Sequence, residues 1–151
     1  MAATDERLFD LTHELVRGMG FALVDVRETT EYGRRIFRFF IDRDQGISVE
    51  DCGAVSREIA YLLDAEDPIE GAYSLEVSSP GLDHDLVRER EYAHFIGRAA
   101  RLVLRAPLDG VGTILTGELL GASRGQVMVR HPERGEIRVA LTDIARARLE
   151  F

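Results

Sequence analysis

The chain has 151 residues, 45% hydrophobic and 30% charged, which is the composition of a folded protein rather than a disordered one. No apolar run reaches the roughly 20 residues that cross a bilayer, and the acidic N-terminus lacks the basic, then apolar pattern of an export signal. The single cysteine, Cys52, excludes an internal disulfide. We therefore expect a protein of the reducing cytoplasm without membrane contact.

Charge is distributed unevenly along the chain, which carries a net charge of −8 and contains no lysine. Residues 1–90 hold 10 arginines and 20 acids, whereas residues 91–151 hold 9 arginines and 7 acids. Because phosphate repels an acidic surface, the first part argues against a protein that simply coats nucleic acid. A basic protein, or a mixed protein–RNA surface, is the better-matched partner.

The first 80 residues predict the order helix, strand, strand, helix, strand. Apolar residues recur at helical spacing over residues 4–20, and strands follow at 21–28 and 35–43 around a hairpin-like connection. The second strand is apolar on both faces, which places it inside a sheet. A capping-box pattern begins a helix over residues 48–67, and a strand over 73–78 completes a two-layer αββαβ domain.

From residue 91 onward the pattern changes to short strands. After a short helix at 91–97, five strands are predicted over residues 98–105, 113–122, 126–131, 135–141 and 145–151. This spacing leaves no room for helices and predicts a small SH3- or Sm-like β-barrel. The expected fold class is thus α+β, with an acidic domain at 1–83, a linker at 84–92 and the barrel domain at 93–151.

A distinctive run separates the two parts and consists of Ser78, Ser79, Pro80, Gly81, Leu82 and Asp83. Proline and glycine meet the demands of the second and third positions of a type II turn, so a strand exit and interdomain corner is the simplest interpretation. A serine nucleophile is a weaker alternative. No GxSxG elbow is present, and nothing in the sequence marks an orienting carboxylate for the nearby His84.

The stretch 73-YSLEVSSPGLD-83 closely resembles the signature of the bacterial ribosome maturation factor RimP family. The resemblance extends to the strand start after Gly20, the segment IDRDQGISVEDC and the ending 144-IARARLEF-151. Where the family usually continues with Arg-Pro, this chain has His84 and Asp85. The resemblance implies a non-enzymatic two-domain assembly factor for the small (30S) ribosomal subunit. Its implied partners are the immature subunit and a small-subunit ribosomal protein.

The predicted barrel strands carry arginines at alternating positions. Alternation turns six arginines outward if the apolar residues between them face inward, namely Ala100, Leu102, Val127, Val129, Ile137, Val139, Ala145, Ala147 and Leu149. The six arginines are Arg101, Arg105, Arg130, Arg138, Arg146 and Arg148. Such a face binds rRNA phosphates or acidic side chains, or it merely keeps a lysine-free chain in solution. An Sm-like RNA-binding regulator is therefore the alternative function, although the barrel offers few aromatic residues for base stacking.

No catalytic or metal-binding pattern accompanies these features. The four histidines, including His13 and His131, lie on different elements, and CxxC, HExxH, Walker A and GxGxxG motifs do not occur. We therefore expect no enzyme activity, no metal and no cofactor, and a monomeric protein.

Overall fold

A computed structural model describes residues 4–81 and 84–150 of the chain. The chain divides into two compact units, Met1–Pro80 and Gly81–Phe151. Within the described ranges, no helix is both long enough and apolar enough to cross a bilayer.

The first unit is a three-stranded sheet with two helices. Its elements are α1 (Thr4–Gly18), β1 (Ala22–Glu31), β2 (Arg34–Asp42), α2 (Val49–Glu66) and β3 (Ser74–Ser78). Strands β1 and β2 are antiparallel, and β3 returns parallel to β2, so the order is β1-β2-β3. Because a parallel return needs a crossover, the chain passes through α2 between β2 and β3. The predicted element order and the interior position of the second strand are confirmed.

The core of this unit lies on one face of β2. Phe37, Phe39 and Ile41 alternate along the strand and are fully buried, in one cluster with Val55 and Ile59 of α2. A fully buried side chain of this size contributes roughly 1.5–3 kcal/mol. This single face therefore carries much of the stability of the unit.

Helix α2 begins with the capping box that the sequence predicts. The Asp51 N–H donates to Ser48 Oγ at 3.0 Å, and the Ser48 N–H donates back to the Asp51 carboxylate at 2.9 Å. The bond from the Ser48 backbone is the main reason why the pKa of Asp51 lies below its ordinary value. The helix start is thus fixed locally, by two residues three positions apart.

The β1–β2 hairpin closes with a loop of two residues. Glu31 pairs with Arg34, and the two residues between them, Tyr32 and Gly33, have φ values of 53° and 74°. Two successive positive φ values are typical of a type I′ turn, whose twist matches that of the strands. Glycine takes this conformation freely, whereas a bulky residue such as tyrosine takes it rarely.

The second unit is an antiparallel sheet preceded by a short helix. Its elements are α3 (Glu89–His94), β4 (Ala99–Leu108), β5 (Gly112–Ser123), β6 (Gln126–His131), β7 (Gly135–Ala140), a 3₁₀ turn (Leu141–Asp143) and β8 (Ile144–Leu149). The sheet order is β7-β6-β5-β4-β8. Leu102, Leu115, Leu119, Val127 and Val129 are fully buried on one face.

The five predicted strands are confirmed, but their closure is not. Strands β7 and β8 stand at opposite ends of the sheet order, and no pairing between them is seen among residues 84–150. The SH3- or Sm-like barrel therefore stays a prediction, while the five-stranded antiparallel sheet is observed.

Residues 84–92, which the sequence predicts as a linker, pack within the second unit. Asp85 forms a bridge with Arg148, and the Leu86 N–H donates to the Ala147 carbonyl at 2.9 Å. Leu86 and Tyr92 are almost fully buried. Because these apolar side chains gain more from burial than from exposure, the segment lies along β8. The predicted boundary at residue 83 falls on Leu82 and Asp83, which are outside the described residues.

Candidate functional site

All six predicted arginines lie on the face of the second sheet opposite its buried leucines and valines. They form two groups, separated by β5. The β4–β8 group holds Arg101, Arg105, Arg146 and Arg148, and Arg101 stands directly opposite Arg148. The β6–β7 group holds Arg130 and Arg138. We call these six residues the arginine face.

One detail of the predicted alternation is wrong. The sequence pattern turns Ala145 inward, but in the structure Ala145 is exposed and Ile144 is buried instead, while Ala147 is buried as predicted. The cause is a register shift on β8: Val103 pairs with Arg146, whereas the next residue of β4, Leu104, pairs with Ile144. A bulge of this kind adds one residue to a strand and resets which side chains face inward.

Carboxylates neutralise part of the arginine face. Arg148 Nε lies 2.7 Å from Asp85 Oδ1, and Arg146 Nε lies 3.5 Å from the same oxygen. In the β6–β7 group, Arg130 contacts Glu118 at 2.9 Å and Arg138 contacts Glu136 at 3.4 Å. The face therefore carries both signs of charge, with six arginines to three paired carboxylates.

Two arginines of the face are not in ion pairs with described residues. Arg105 Nε donates to the Thr142 carbonyl at 3.1 Å, which orients the guanidinium without neutralising it. The side chain of Arg101, which is exposed, makes no ion pair or hydrogen bond with any residue in the described ranges. The β4–β8 group is thus the more positive of the two and the better anion-binding surface.

A hollow of about 290 Å³ lies beside the β4–β8 group. Asp85, Tyr92, Arg105 and Arg146 are among the residues that line it. A second hollow, of about 620 Å³, is lined by residues that include Arg124, Met128 and Arg138. The first hollow is lined by apolar residues such as Leu86 and Ile144 together with charged ones, whereas the second is lined mainly by polar and charged residues.

Asp85 is held ionised by the two arginines of β8. Its partial burial alone raises the pKa, but the hydrogen bond from Arg148 and the charges of Arg146 and Arg148 outweigh that effect, so the pKa is lowered. A carboxyl whose pKa falls on folding stabilises the fold above its unfolded pKa of about 4. That contribution is lost as the pH falls through the lower folded value.

A buried histidine–carboxylate pair adjoins this site, and sequence analysis missed it. His84 Nε2 lies 2.6 Å from Glu91 Oε2, and the two side chains are 3% and 0% exposed. The other carboxylate oxygen of Glu91 accepts the N–H groups of Val87 and Arg88 at 3.0 and 2.9 Å. Because both side chains are shielded from solvent, the pair stabilises the segment before α3 and offers no access for a substrate.

The run from Ser78 to Asp83 spans the division between the units. Ser78 ends β3, Pro80 is the last residue of the first unit and Gly81 begins the second. The first unit's histidine, His13, stacks on Phe9 with ring centroids 5.5 Å apart. The predicted type II turn ends at Leu82, which, like Asp83, lies outside the described residues, so the turn type stays a prediction.

The other titratable groups give no sign of a metal centre. His131 Nδ1 accepts the N–H groups of Glu133 and Arg134, which fixes the β6–β7 turn. Across residues 4–81 and 84–150, no three His, Cys, Asp or Glu side chains converge as metal ligands.

Comparison with known families adds an independent observation on the first unit. Residues 11–83 match the family model described as the RimP N-terminal domain. The match spans just under half of the chain and contains the whole β1–β2–α2–β3 arrangement described above, together with the second half of α1.

Proposed function

Since this N-terminal domain shows that the chain belongs to the RimP family, whose members are ribosome maturation factors, we propose that the protein is a non-enzymatic assembly factor for the small (30S) ribosomal subunit. It acts in the cytoplasm as a monomer and binds the immature subunit together with a small-subunit ribosomal protein. The family match carries this proposal. The buried state of the His84–Glu91 pair supports a binding role rather than a catalytic one.

The arginine face supports contact with a mixed protein–RNA surface. Arg101 and Arg105, which are free of ion pairs with described residues, are suited to rRNA phosphates. The β6–β7 group, where each arginine is paired with a glutamate, presents both charges and suits a protein surface. We assign partner binding to Arg101, Arg105, Arg130, Arg138, Arg146 and Arg148.

The remaining sequence features support separate roles for the acidic first unit and the arginine face. The acidic first part of the chain is suited to steering toward a basic ribosomal protein, because complementary charge speeds encounter. We assign the run Ser78, Ser79, Pro80, Gly81, Leu82 and Asp83 to the corner that joins the two units. Its role is structural and involves no cofactor or metal.

The proposal is tested by sedimentation of the full chain with ribosomal particles. We expect the protein to migrate with immature small subunits and not with complete ribosomes, and a deletion strain to accumulate unprocessed small-subunit RNA. Arg101→Gln is expected to weaken this association several-fold without loss of stability, since Arg101 has no described ion pair to lose. Arg17→Gln on α1 removes the same charge outside the face and serves as the control. Normal subunit profiles in the deletion strain would contradict the proposal.

The alternative function, an Sm-like RNA-binding regulator, is favoured by one observation, the exposed arginines of β4 and β8. It requires tight binding to naked single-stranded RNA with a steep dependence on salt. The three carboxylates paired on the same face reduce that dependence. A flat salt slope for the full chain on a single-stranded RNA would eliminate this alternative.

Asp85→Asn is expected to strengthen the contact of the β4–β8 group with phosphate. Loss of the carboxylate releases Arg146 and Arg148, so the log–log salt slope for a 12-nucleotide RNA should steepen by about 0.7 for each phosphate gained. The slope is measured by fluorescence anisotropy between 50 and 200 mM salt. Asp109→Asn, an exposed carboxylate in the β4–β5 connection, is the matched control. Equal slopes for all three proteins would show that β8 does not contact phosphate.

A further inference from the structure

The tip of the β1–β2 hairpin presents an aromatic ring that the fold does not use. Tyr32 is 101% exposed, the most exposed of the large apolar residues in the described ranges. Its neighbours at the tip, Thr30, Glu31, Gly33 and Arg34, are also exposed. Both faces of the ring are therefore open to a flat partner.

Tyr32 also occupies a backbone conformation that does not suit it. Its φ of 53° lies in the left-handed region, where asparagine, aspartate or glycine is favoured in a type I′ turn. A bulky residue in this region costs conformational energy that no described contact of the ring offsets. A tyrosine retained at this position therefore calls for an explanation outside the fold.

The ion pairs around the tip leave one guanidinium group unengaged. Glu28 is bound by Arg35 at 2.8 Å, and Arg38 contacts both Glu76 at 2.6 Å and Glu31 at 3.4 Å. Arg34 is exposed, and its side chain has no ion pair or hydrogen bond with any residue of the described ranges. The charges around the tip therefore balance, and the Arg34 side chain is the cation there that no described carboxylate holds.

A small hollow adjoins this side chain. It has a volume of about 200 Å³, enough for a sugar-phosphate group, and is lined by Gly33, Arg34, Arg35, Ala72, Tyr73 and Ser74. Because Arg35 is held by Glu28 and by the Glu70 carbonyl, Arg34 is the lining guanidinium that can reach an occupant beside the exposed ring.

We propose that the hairpin tip binds one unpaired nucleotide of RNA, with the base stacked on Tyr32 and a phosphate held by Arg34. Aromatic rings stack on unpaired bases of any sequence, and arginine pairs bidentately with phosphate. A protein partner matches less well, because a hot-spot tyrosine normally sits in apolar surroundings and the tip residues around this ring are polar. The inference deepens the proposed function, since it names an RNA contact for the first unit.

The test uses the full chain and a fluorescein-labelled 12-nucleotide oligouridylate. Tyr32→Ala is expected to weaken binding roughly tenfold, whereas Tyr32→Phe keeps the affinity because a phenyl ring also stacks. Since the chain has no tryptophan, tyrosine emission is visible, and stacking should quench it in the wild type but not in Tyr32→Phe. Tyr61→Ala, which removes a 69% exposed tyrosine from α2, is the matched control.

A structural role for Tyr32 is separated from binding by Tyr32→Asn. Asparagine suits the left-handed conformation, so the thermal midpoint should rise by a few degrees while oligonucleotide binding falls as it does in Tyr32→Ala. Equal binding by wild type and Tyr32→Ala, or no binding by the wild type at 50 mM salt, would overturn the inference. The inference would also be overturned if Tyr32→Ala lost binding to isolated small-subunit ribosomal proteins while its binding to the oligonucleotide stayed unchanged.

Sedimentation with immature small subunits distinguishes this inference from the proposed function. If the wild type fails to migrate with these particles, the assembly role is wrong, whereas the oligonucleotide titration still decides the role of the tip. If the wild type migrates with them and Tyr32→Ala binds the oligonucleotide normally, the assembly role stands and the tip contact is refuted.

Discussion

Gly117→Ala is expected to destabilise the second unit by about 3 kcal/mol, a large effect for the addition of one methyl group. Gly117 is buried in β5. A Cβ there would overlap the carbonyl oxygen of Arg130 and lie 2.8 Å from Val129 Cγ1. The backbone of Arg130 has no freedom to move away, because it is paired with β5 on one side and with β7 on the other.

The measurement is urea unfolding of the full chain, followed by circular dichroism. Gly121→Ala is the control on the same strand, since its Cβ would meet only the terminal methyl of Met128, at 2.9 Å. A flexible methionine end can rotate aside, so this change should cost much less. Equal losses for the two variants would show that the close approach at Gly117 is not what makes glycine necessary.

Glu91→Ala is expected to destabilise the same unit by about 3 kcal/mol, because it removes a carboxylate that satisfies three buried or half-buried groups. The N–H groups of Val87 and Arg88 lose their acceptor, and His84 Nε2 loses its partner. A buried polar group left without a partner costs roughly 1–3 kcal/mol, and breaking a buried pair costs roughly 3–5 kcal/mol.

Two further variants, measured by the same urea unfolding, are compared with Glu91→Ala. Glu91→Gln keeps an oxygen acceptor for the two N–H groups and should lose an intermediate amount. Glu133→Ala, an exposed glutamate in the β6–β7 turn, should change stability by less than about 0.5 kcal/mol. The interpretation is wrong if Glu91→Ala is as stable as Glu133→Ala.

Most of the element order was predictable because it rests on local patterns. Alternation and helical spacing record which side of each element is buried, and both leave their period directly in the sequence. The start of α2 was predictable for the same reason, since Ser48 and Asp51 satisfy each other's backbone within one turn. The family signature around Pro80 and Gly81 likewise needs no tertiary information.

The contacts of the candidate site were less accessible to sequence reasoning, because they join distant residues. Asp85 meets Arg148 across 63 positions, so its role in neutralising β8 leaves no local signal. The bulge that exposes Ala145 is invisible to a rule of strict alternation. Glu91 left a weak signal in the sequence, since a glutamate at the third position of a helix often completes a capping box. Arg88, which stands at the N-cap of this helix, is not one of the residues that usually form the other half of such a box.

The hairpin tip shows a different limit of prediction from sequence. A connection near residues 29–34 was predicted, but Tyr32-Gly33 is not among the usual type I′ pairs, so neither the turn type nor the exposure of the ring followed from it. The expectation that base stacking is unlikely considered the barrel alone. The exposed ring lies in the acidic first unit, where overall charge hides the one arginine of the tip, Arg34, whose side chain no described carboxylate holds.

His84 and Asp85 stand where the RimP signature that the sequence resembles continues with Arg-Pro, and their contacts have consequences for chimeric proteins. His84 and Asp85 are each tied to a partner elsewhere in the second unit, one to Glu91 and the other to Arg146 and Arg148. Replacing His84 and Asp85 by Arg-Pro without other changes would remove the partners of Glu91, Arg146 and Arg148. We therefore expect mutations at 84 and 85 to have strongly non-additive effects with mutations of those partners, and mutations at the neighbouring Val87 to have nearly additive ones. Homologues that differ here are therefore expected to have exchanged the whole set of interacting residues together.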